Sequence, residues 1–375
     1  IDGGAGANTL TMNAGALSDQ FTQVTNIQTV KINAHDAGTA ALTYDLSKLP
    51  ASVTTFDLDI NDLDDNANDE NITNVEGQTI VLRNTAADAA GTDAEVVITN
   101  KTDTDADSVN IKVVEIPTGG VANTTDIETI NVANFETVNI ESSKNSTTSG
   151  DVVNLVDALT ATSAKAVVVT GDSSLTIGGV SGGAMTSFDA SGLAGKLVAT
   201  FSSSDKVTVT AAQKDSTLNF GSTLDNNDTV IGGAGTKDVV TATLTGKTAT
   251  TGALNVSGVE TLTLTTSGDN TLDLSKVVGA STVSVSANTQ TITGLDLNTG
   301  LEVTGAATLK VTAADATGTA DALTVTQKLQ GNVDNVIEGK GIETLNIIVN
   351  DTGATANVAG FDLDSFEAST VSFSQ

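Results

Sequence analysis

Residues Leu224–Leu244 have the sequence LDNNDTVIGGAGTKDVVTATL. It contains a glycine-rich turn between two alternating apolar segments, a pattern typical of two strands joined at a tight corner. Glycine is favoured where the backbone takes positive φ or passes close to a ligand. Carboxylates beside such a turn, with backbone carbonyls, form an all-oxygen site suited to a hard cation. We therefore predict calcium here, with Asp228, Gly233, Gly235 and Asp238 as ligands; an ordinary turn without metal is the alternative.

A second glycine turn occurs in Ile1–Leu10, IDGGAGANTL, where Asn8 occupies the acidic position. Both turns resemble the nonapeptide repeat G-G-x-G-x-D-x-U-x of RTX proteins, and the resemblance implies calcium bound between turns of a parallel β-helix. The match is imperfect, because Lys237 stands where the repeat has Asp and Asp238 follows one place later. Because the chain starts inside a glycine repeat, we expect it to be part of a longer protein.

The composition is that of a polyanion, since 46 Asp and Glu against 16 Lys and Arg in 375 residues give a net charge of −30. The chain lacks the clustered basic residues that neutralise phosphates, so nucleic acid is excluded as a partner. The charge repels itself in the folded state, and divalent cations would relieve that repulsion; solubility or adaptation to high salt is the alternative explanation. Cysteine is absent, which excludes disulfides and thiolate zinc sites. No apolar run is long enough to span a membrane.

Most of the chain consists of short alternating segments rich in Val, Ile, Leu and Thr, which predict β-strands. Helical periodicity is scarce, and we predict a helical turn or two only at Asp45–Leu49 and Leu155–Ala161. One motif recurs before strands: a branched or aromatic apolar residue, then Glu or Gln, then Thr. Its copies are Ile27-Gln28-Thr29, Ile127-Glu128-Thr129, Phe135-Glu136-Thr137, Val259-Glu260-Thr261 and Ile342-Glu343-Thr344, with Asn74-Val75-Glu76 as a stretched copy.

A second motif places Asp two residues before Ser, and an Asp in this setting is most often the first residue of an Asx turn. Its copies are Asp45-Leu46-Ser47, Asp189-Ala190-Ser191 and Asp273-Leu274-Ser275, with Asp362-Leu363-Asp364 as a further one. Repeated strand–turn units indicate stacked coils that bury their inward side chains on one another. The predicted fold is therefore all-β, a parallel β-helix or β-solenoid with interrupting loops, and tandem β-sandwich domains are the alternative.

We predict two segments: residues 1–150, which are β-rich and contain an acidic loop, and residues 151–375, a β-solenoid with the RTX-like turn. Together the motifs resemble the RTX-related surface-layer proteins of Gram-negative bacteria. The resemblance implies a type I secreted, calcium-dependent lattice that self-assembles at the cell surface, held to surface polysaccharide through a region outside this chain. A large RTX adhesin or biofilm matrix protein shares the same motifs and is the alternative.

The densest acidic run is Asp57–Glu70, DLDINDLDDNANDE, which contains seven carboxylates and no Lys or Arg. So many carboxylates in one loop repel each other strongly unless a cation bridges them, and a solvated loop is the alternative. The calcium ligands predicted in this run are Asp57, Asp59, Asn61, Asp62, Asp64, Asp65 and Asp69. The motif glutamates either cap backbone N–H groups or bind calcium shared with a neighbouring coil, and these are Glu76, Glu136, Glu260 and Glu343. In one copy of the motif Gln28 replaces the Glu, which favours the capping role at that copy.

Catalysis is the least favoured function, and we predict that the chain is not an enzyme. His35 is the only histidine, and the neighbouring Asp36 does not supply the geometry of a nucleophilic triad. Paired carboxylates on a β-helix could cleave a polysaccharide. Such sites usually add aromatic platforms and basic residues, whereas this chain has no Trp, one Tyr and one Arg.

Overall fold

The chain forms a parallel β-solenoid of about 13 turns, which confirms the predicted fold class. Every strand pair with a described register is parallel, so the alternative of antiparallel β-sandwiches is wrong. The structure, a computed structural model, describes residues 1–13, 17, 21, 23–33, 42–60, 70–83, 95–114, 125–144, 152–203, 206–245, 252–315, 317–329, 333–351 and 359–375. This part of the chain contains no helix with the length and apolarity that crossing a bilayer requires.

The chain divides into two compact units, residues 1–205 with 212–214, and residues 206–211 with 215–375. The predicted division between residues 150 and 151 stays a prediction. The strands of the first unit are β1 (Thr9–Asn13), β2 (Thr29–Asn33), β3 (Leu42–Asp45), β4 (Thr55–Asp59), β5 (Glu70–Val75), β6 (Thr79–Arg83), β7 (Glu95–Asn100), β8 (Ser108–Val114), β9 (Thr125–Ala133), β10 (Thr137–Ser143), β11 (Val153–Ala161), β12 (Ala166–Gly171), β13 (Ser174–Ser181), β14 (Ser187–Leu193) and β15 (Leu197–Phe201).

The second unit contains the other fifteen strands. These are β16 (Thr208–Thr210), β17 (Thr217–Asn219), β18 (Thr229–Ile231), β19 (Val239–Thr245), β20 (Asn255–Ser257), β21 (Thr261–Ser267), β22 (Asn270–Asp273), β23 (Val277–Val278), β24 (Thr282–Leu295), β25 (Gly300–Ala313), β26 (Ala322–Leu329), β27 (Val333–Lys340), β28 (Thr344–Asp351), β29 (Ala359–Asp362) and β30 (Thr370–Ser374).

Two parallel sheets run along each unit. In the first unit, one sheet has the order β1-β2-β4-β6-β8-β10-β12-β14 and the other has the order β3-β5-β7-β9-β11-β13-β15. In the second unit, one sheet has the order β16-β18-β20-β23 and the other begins β17-β19-β21-β24-β25. The second sheet branches at β24, which pairs with both β21 and β22, and again at β25, which pairs with both β26 and β27.

The core consists of columns of apolar side chains that stack from coil to coil. One column contains Val109, Val138, Val167 and Phe188, which are in register on successive strands and at most 1% exposed. Alternation along each strand places one side chain of every two in such a column. Residues in register on neighbouring coils are 18 to 34 apart in sequence, so the coils vary in length. This variation explains why the motifs are irregularly spaced.

The two helical predictions have different outcomes. Leu46–Lys48 forms a short 3-10 helix capped by Asp45, as predicted. Leu155–Ala161 is wrong, because it lies in strand β11. In that strand the buried residues are Asn154, Val156, Leu159 and Ala161, so the period of two breaks once at a spacing of three. That single break gives the segment its helical appearance.

Candidate functional site

The two aspartates predicted to bind calcium at the glycine turn are both buried, with exposures of 3% for Asp228 and 2% for Asp238. The Asp228 carboxylate lies at the turn before β18. Its Oδ1 accepts the backbone N–H of Val207, one coil earlier, at 3.0 Å. Its Oδ2 accepts the N–H of Asp225 in the same turn at 2.9 Å. Asp228 therefore closes its own turn and joins it to the preceding coil.

Asp238 connects three successive coils. Its Oδ1 accepts the N–H of Ser216 in the preceding coil at 2.6 Å, and its Oδ2 accepts the N–H of Gly233 at 3.1 Å. Its own backbone N–H is donated to Glu260 Oε2 in the following coil at 2.7 Å. Each carboxylate oxygen of Asp238 is therefore bonded to a backbone N–H group.

The glycines of this turn have a different role from the predicted one. None of Gly232, Gly233 and Gly235 has a positive φ, in contrast to Gly4 and Gly6 of the N-terminal turn. A side chain at Gly232 would collide with the carbonyl of Gly258, and one at Gly235 would lie 2.7 Å from the Asp215 nitrogen. Glycine is therefore required at these two positions because neighbouring coils approach closely.

These contacts provide a test of whether the turn suits calcium, which binds oxygen ligands. All four carboxylate oxygens of Asp228 and Asp238 accept N–H groups, and Gly233 presents its N–H rather than its carbonyl to Asp238. These N–H groups already donate to every carboxylate oxygen, and their partial positive charge would repel a cation. The residues of this turn do not fit a calcium site.

The motif glutamates form a recurring contact between coils. In four copies, a side-chain oxygen accepts the backbone N–H of an Asp or Asn one coil earlier, which we call the coil brace. The braces join Gln28 to Asn8 at 2.8 Å, Glu136 to Asp107 at 2.9 Å, Glu260 to Asp238 at 2.7 Å and Glu343 to Asp321 at 2.9 Å. Of the two readings open for these glutamates, capping is the one found at Glu136, Glu260 and Glu343. The neutral amide oxygen of Gln28 accepts the equivalent N–H, so the coil brace does not require a charged side chain.

The backbone before each brace has a common geometry. The residue two places before the Glu or Gln has a left-handed conformation, with φ between 58° and 70°, and only Gly and Asn tolerate this region easily. The next residue, apolar in every copy, points into the core. The left-handed residues are Asn26, Asn134, Gly258 and Gly341, and the buried residues after them are Ile27, Phe135, Val259 and Ile342.

Two predicted copies lack the brace, although the one at Glu76 has the same backbone geometry, with Asn74 at a φ of 58° and Val75 buried. The Glu76 side chain forms an ion pair with Lys101, and Gln78, which directly precedes β6, accepts the N–H of Glu76 at 2.7 Å. Gln78 is therefore the residue at the usual Glu position, and sequence reasoning missed it. Glu128 lies inside strand β9 rather than at a turn, so its copy does not mark a corner.

The acidic run is only partly described. Asp57 forms a two-pronged ion pair with Arg83, the single arginine of the chain, at 2.7 Å from Nε and 3.1 Å from Nη2. Asp57 and Asp59 are buried, with exposures of 7% and 6%. Arg83 belongs to the next coil, which the local sequence of the run does not reveal. The other predicted ligands of the run, Asn61, Asp62, Asp64, Asp65 and Asp69, lie outside the described residues, and calcium there stays a prediction.

The Asp-x-Ser motif forms Asx turns, as predicted. In every predicted copy the Asp Oδ1 accepts the backbone N–H two residues later at 2.9–3.0 Å. The same turn recurs with Asn or Thr in the third place, which the motif did not anticipate. The additional turns begin at Asp225, Asp296 and Asp315.

A sheet face of the second unit carries no charge, which is unusual in a chain of net charge −30. Strands β17, β19, β21 and β24 contain no Asp, Glu, Lys or Arg. Their outward side chains form two rows, and we call these residues the hydroxyl face. One row contains Asn219, Thr241, Thr263 and Ser284, of which Ser284 is buried beside Glu302, and the other contains Thr243 and Thr265. Parallel strands space such rows at about 4.8 Å between coils and about 6.6 Å along the strand.

The next strand, β25, bounds the hydroxyl face with a charged pair. Glu302 is in register with Ser284 and forms an ion pair with Lys328 at 2.6 Å. Sequence reasoning noted these Thr-rich strands but gave them no role. The short strands of the other sheet, β16, β18, β20 and β23, also lack charged residues, so the feature that distinguishes the face is its longer rows of hydroxyl side chains.

Comparisons with known protein families, with curated proteins and with solved structures found no match. Among the residues that the structure describes, no group of three or more His, Cys, Asp or Glu side chains is placed to hold a metal ion. The single histidine, His35, lies outside those residues.

Burial gives the two aspartates of the glycine turn an unusual titration. Desolvation raises the pKa of Asp228, with a smaller contribution from the neighbouring carboxylate of Asp225. Desolvation also raises the pKa of Asp238, to which Glu260 and Asp215 add repulsion. Between the ordinary pKa of Asp and its raised pKa in the folded chain, the folded chain binds more protons than the unfolded chain. The free energy of unfolding therefore falls as the pH rises through this range.

Four other aspartates, three of them in Asx turns and the fourth, Asp107, bonded to Thr104, titrate in the opposite direction. A hydroxyl that donates to the carboxylate is the largest cause of the lowered pKa of each, and the residues are Asp45, Asp107, Asp273 and Asp315. Their stabilising contribution is present above the ordinary Asp pKa of about 3.9 and is lost as the pH falls below it.

We therefore expect the free energy of unfolding to be greatest just above the ordinary Asp pKa of about 3.9. It should decrease at higher pH as the buried aspartates, whose pKa is raised, ionise, and decrease at lower pH as the carboxylates with a lowered pKa are protonated. Urea unfolding of dilute protein, followed by circular dichroism from pH 3 to pH 8, measures this. Replacing Asp228 and Asp238 by Asn should flatten the slope on the alkaline side of the maximum. A stability that rises steadily to pH 8 would contradict the prediction.

Proposed function

We propose that this chain is a structural, self-assembling segment of an extracellular surface layer. The sequence resemblance to surface-layer proteins motivates the proposal, and the hydroxyl face is the observation that carries it. Copies of a chain with net charge −30 repel each other over most of their surface. The hydroxyl face is a place where a second copy approaches without facing a like charge.

The size of this face indicates how such an assembly behaves. Strand β17 has three residues and β19 and β21 have seven each. With the matching part of β24, at about 4.8 Å between strands and about 3.3 Å per residue, the face covers on the order of 400 Å². A stable pairwise interface buries about 800 Å² on each partner. A single contact through this face is therefore weak, and a lattice forms only because many contacts act together.

Calcium enters this proposal as the counter-ion between copies. It would bind the acidic run that the sequence predicts and reduce the repulsion between neighbouring chains. Size analysis in millimolar calcium and in excess chelator tests this part of the proposal. Growth into large particles in calcium, reversed by chelator, supports it, and particles that form equally in both conditions would overturn the role of calcium but not that of the face.

A charge on the hydroxyl face should block assembly. Thr265 is exposed in β21, and we expect Thr265→Asp to weaken self-association at least about tenfold, because like charges meet across the contact. Light scattering and sedimentation over a range of protein concentrations measure the change. Thr170→Asp, at an exposed position of β12 in register with Glu141, adds the same charge to a sheet of the first unit that already carries charged residues and serves as the matched control. If both variants assemble like the unmodified chain, the face is not the contact.

A further inference from the structure

The N-terminal glycine turn places an amide where three carbonyl oxygens converge. Asn8 Nδ2 donates to the carbonyl of Asn26 at 2.8 Å, to that of Gly6 at 3.2 Å and to that of Gly4 at 3.3 Å. The left-handed φ values of Gly4 and Gly6, 74° and 105°, direct these carbonyls toward one point. Such a group of oxygens is the kind of surrounding that calcium seeks. Here a neutral N–H₂ group occupies it.

A second turn repeats this arrangement with different residues. Asn100 Nδ2 donates to the carbonyl of Asn134 in the next coil at 2.7 Å, to Asp107 Oδ2 at 2.9 Å and to the carbonyl of Thr102 at 3.1 Å. Asp107 is also the residue whose backbone N–H is held by the Glu136 brace. The amide and the brace therefore act on one turn and join it to the same neighbouring coil.

We propose that the side-chain amide of Asn8 takes the place that the RTX resemblance assigns to calcium, and that the amide of Asn100 fills an equivalent group of oxygens, so that the coils stack without a metal. This inference concerns the folding of the single chain and does not depend on how copies assemble. An amide suits the position because its two N–H groups satisfy the converging oxygens without adding charge. The coil braces also join coils without a metal, since backbone N–H groups donate to the side-chain oxygens of Glu or Gln.

The sharpest test converts an amide into a carboxylate. Asn100→Asp places a carboxylate oxygen against the Asn134 carbonyl and the Asp107 carboxylate, and these oxygens repel each other unless a cation lies between them. We expect the thermal midpoint in chelator to fall by about 2–4 °C, and millimolar calcium to restore it. Asn100→Ala is the matched control: it should lose a similar amount in chelator and gain no additional response to calcium.

The readout is circular dichroism of dilute chains at a concentration where light scattering shows no particles. Comparing each variant's calcium response with that of the unmodified chain separates the coil turns from the acidic run, which is common to all of them. Asn8→Asp provides the same test at the half-exposed N-terminal turn if Asn100→Asp does not fold. A larger calcium response in the Asp variants than in the unmodified chain supports the inference.

Two results would overturn it. One is an Asp variant that melts in chelator at the same temperature as the unmodified chain, which would mean that the amide does not hold the turn. The other is a calcium response of the unmodified chain that Asn100→Ala abolishes, which would mean that the turn already binds the metal. Neither result bears on assembly, which the Thr265→Asp experiment measures independently.

Discussion

Replacing Asp238 by Ala should lower the free energy of unfolding by about 3 kcal/mol, because a buried carboxylate that accepts two N–H groups is lost. The N–H groups of Ser216 and Gly233 would remain in a site that is 2% exposed, with no acceptor of equal reach. Urea unfolding at pH 7 measures the loss. We expect it to be the same in calcium and in chelator, because the contacts involve backbone N–H groups rather than a metal.

Glu260 provides a matched control for this prediction. Glu260→Gln should leave stability nearly unchanged, because Gln28 makes the equivalent bond to Asn8 at 2.8 Å with an amide oxygen. Glu260→Ala should lose about 1–2 kcal/mol, since the N–H of Asp238 then has no partner. If Asp238→Ala costs less than about 0.5 kcal/mol, or if Gln fails where Glu works, the carboxylates do not have the structural role described above.

Phe188→Ala should produce the largest loss from the apolar core, about 3–5 kcal/mol. The ring is fully buried and packs edge-to-face on Phe201, with centroids 5.1 Å apart. It also lies in register with Val167 of the preceding coil, so its removal leaves a cavity between stacked coils. Because each coil contacts only its neighbours, we expect the loss to appear mainly in the coils around β14.

Hydrogen exchange of the backbone amides locates this loss, and urea unfolding measures its size. Phe188→Leu is the conservative control and should cost clearly less than the Ala variant, because it refills most of the volume. A loss below about 1 kcal/mol for Phe188→Ala would mean that the column tolerates a cavity. A uniform loss of protection along the chain would contradict the expected local effect.

The neighbouring coils decide what each acidic side chain does. Asp57 was predicted as a calcium ligand from a run without basic residues, but its partner Arg83 is 26 residues away and belongs to the next coil. Glu136, Glu260 and Glu343 were open between capping and metal binding, and in each the stacking of coils supplies a backbone N–H. The distance along the chain to such partners varies, because the coils differ in length.

Local sequence patterns were enough to predict the β-solenoid, the corners between strands and the Asx turns. These features depend on local properties: alternation with a period of two, residues that tolerate left-handed backbone, and Asp bonding to the N–H two places later. Only the stacking of coils shows which oxygens accept N–H groups, why Gly232 and Gly235 are glycines, and which hydroxyl side chains line up in rows on one face. Those features depend on which residues become neighbours when coils stack, and that register is set by loops whose lengths carry no local signal.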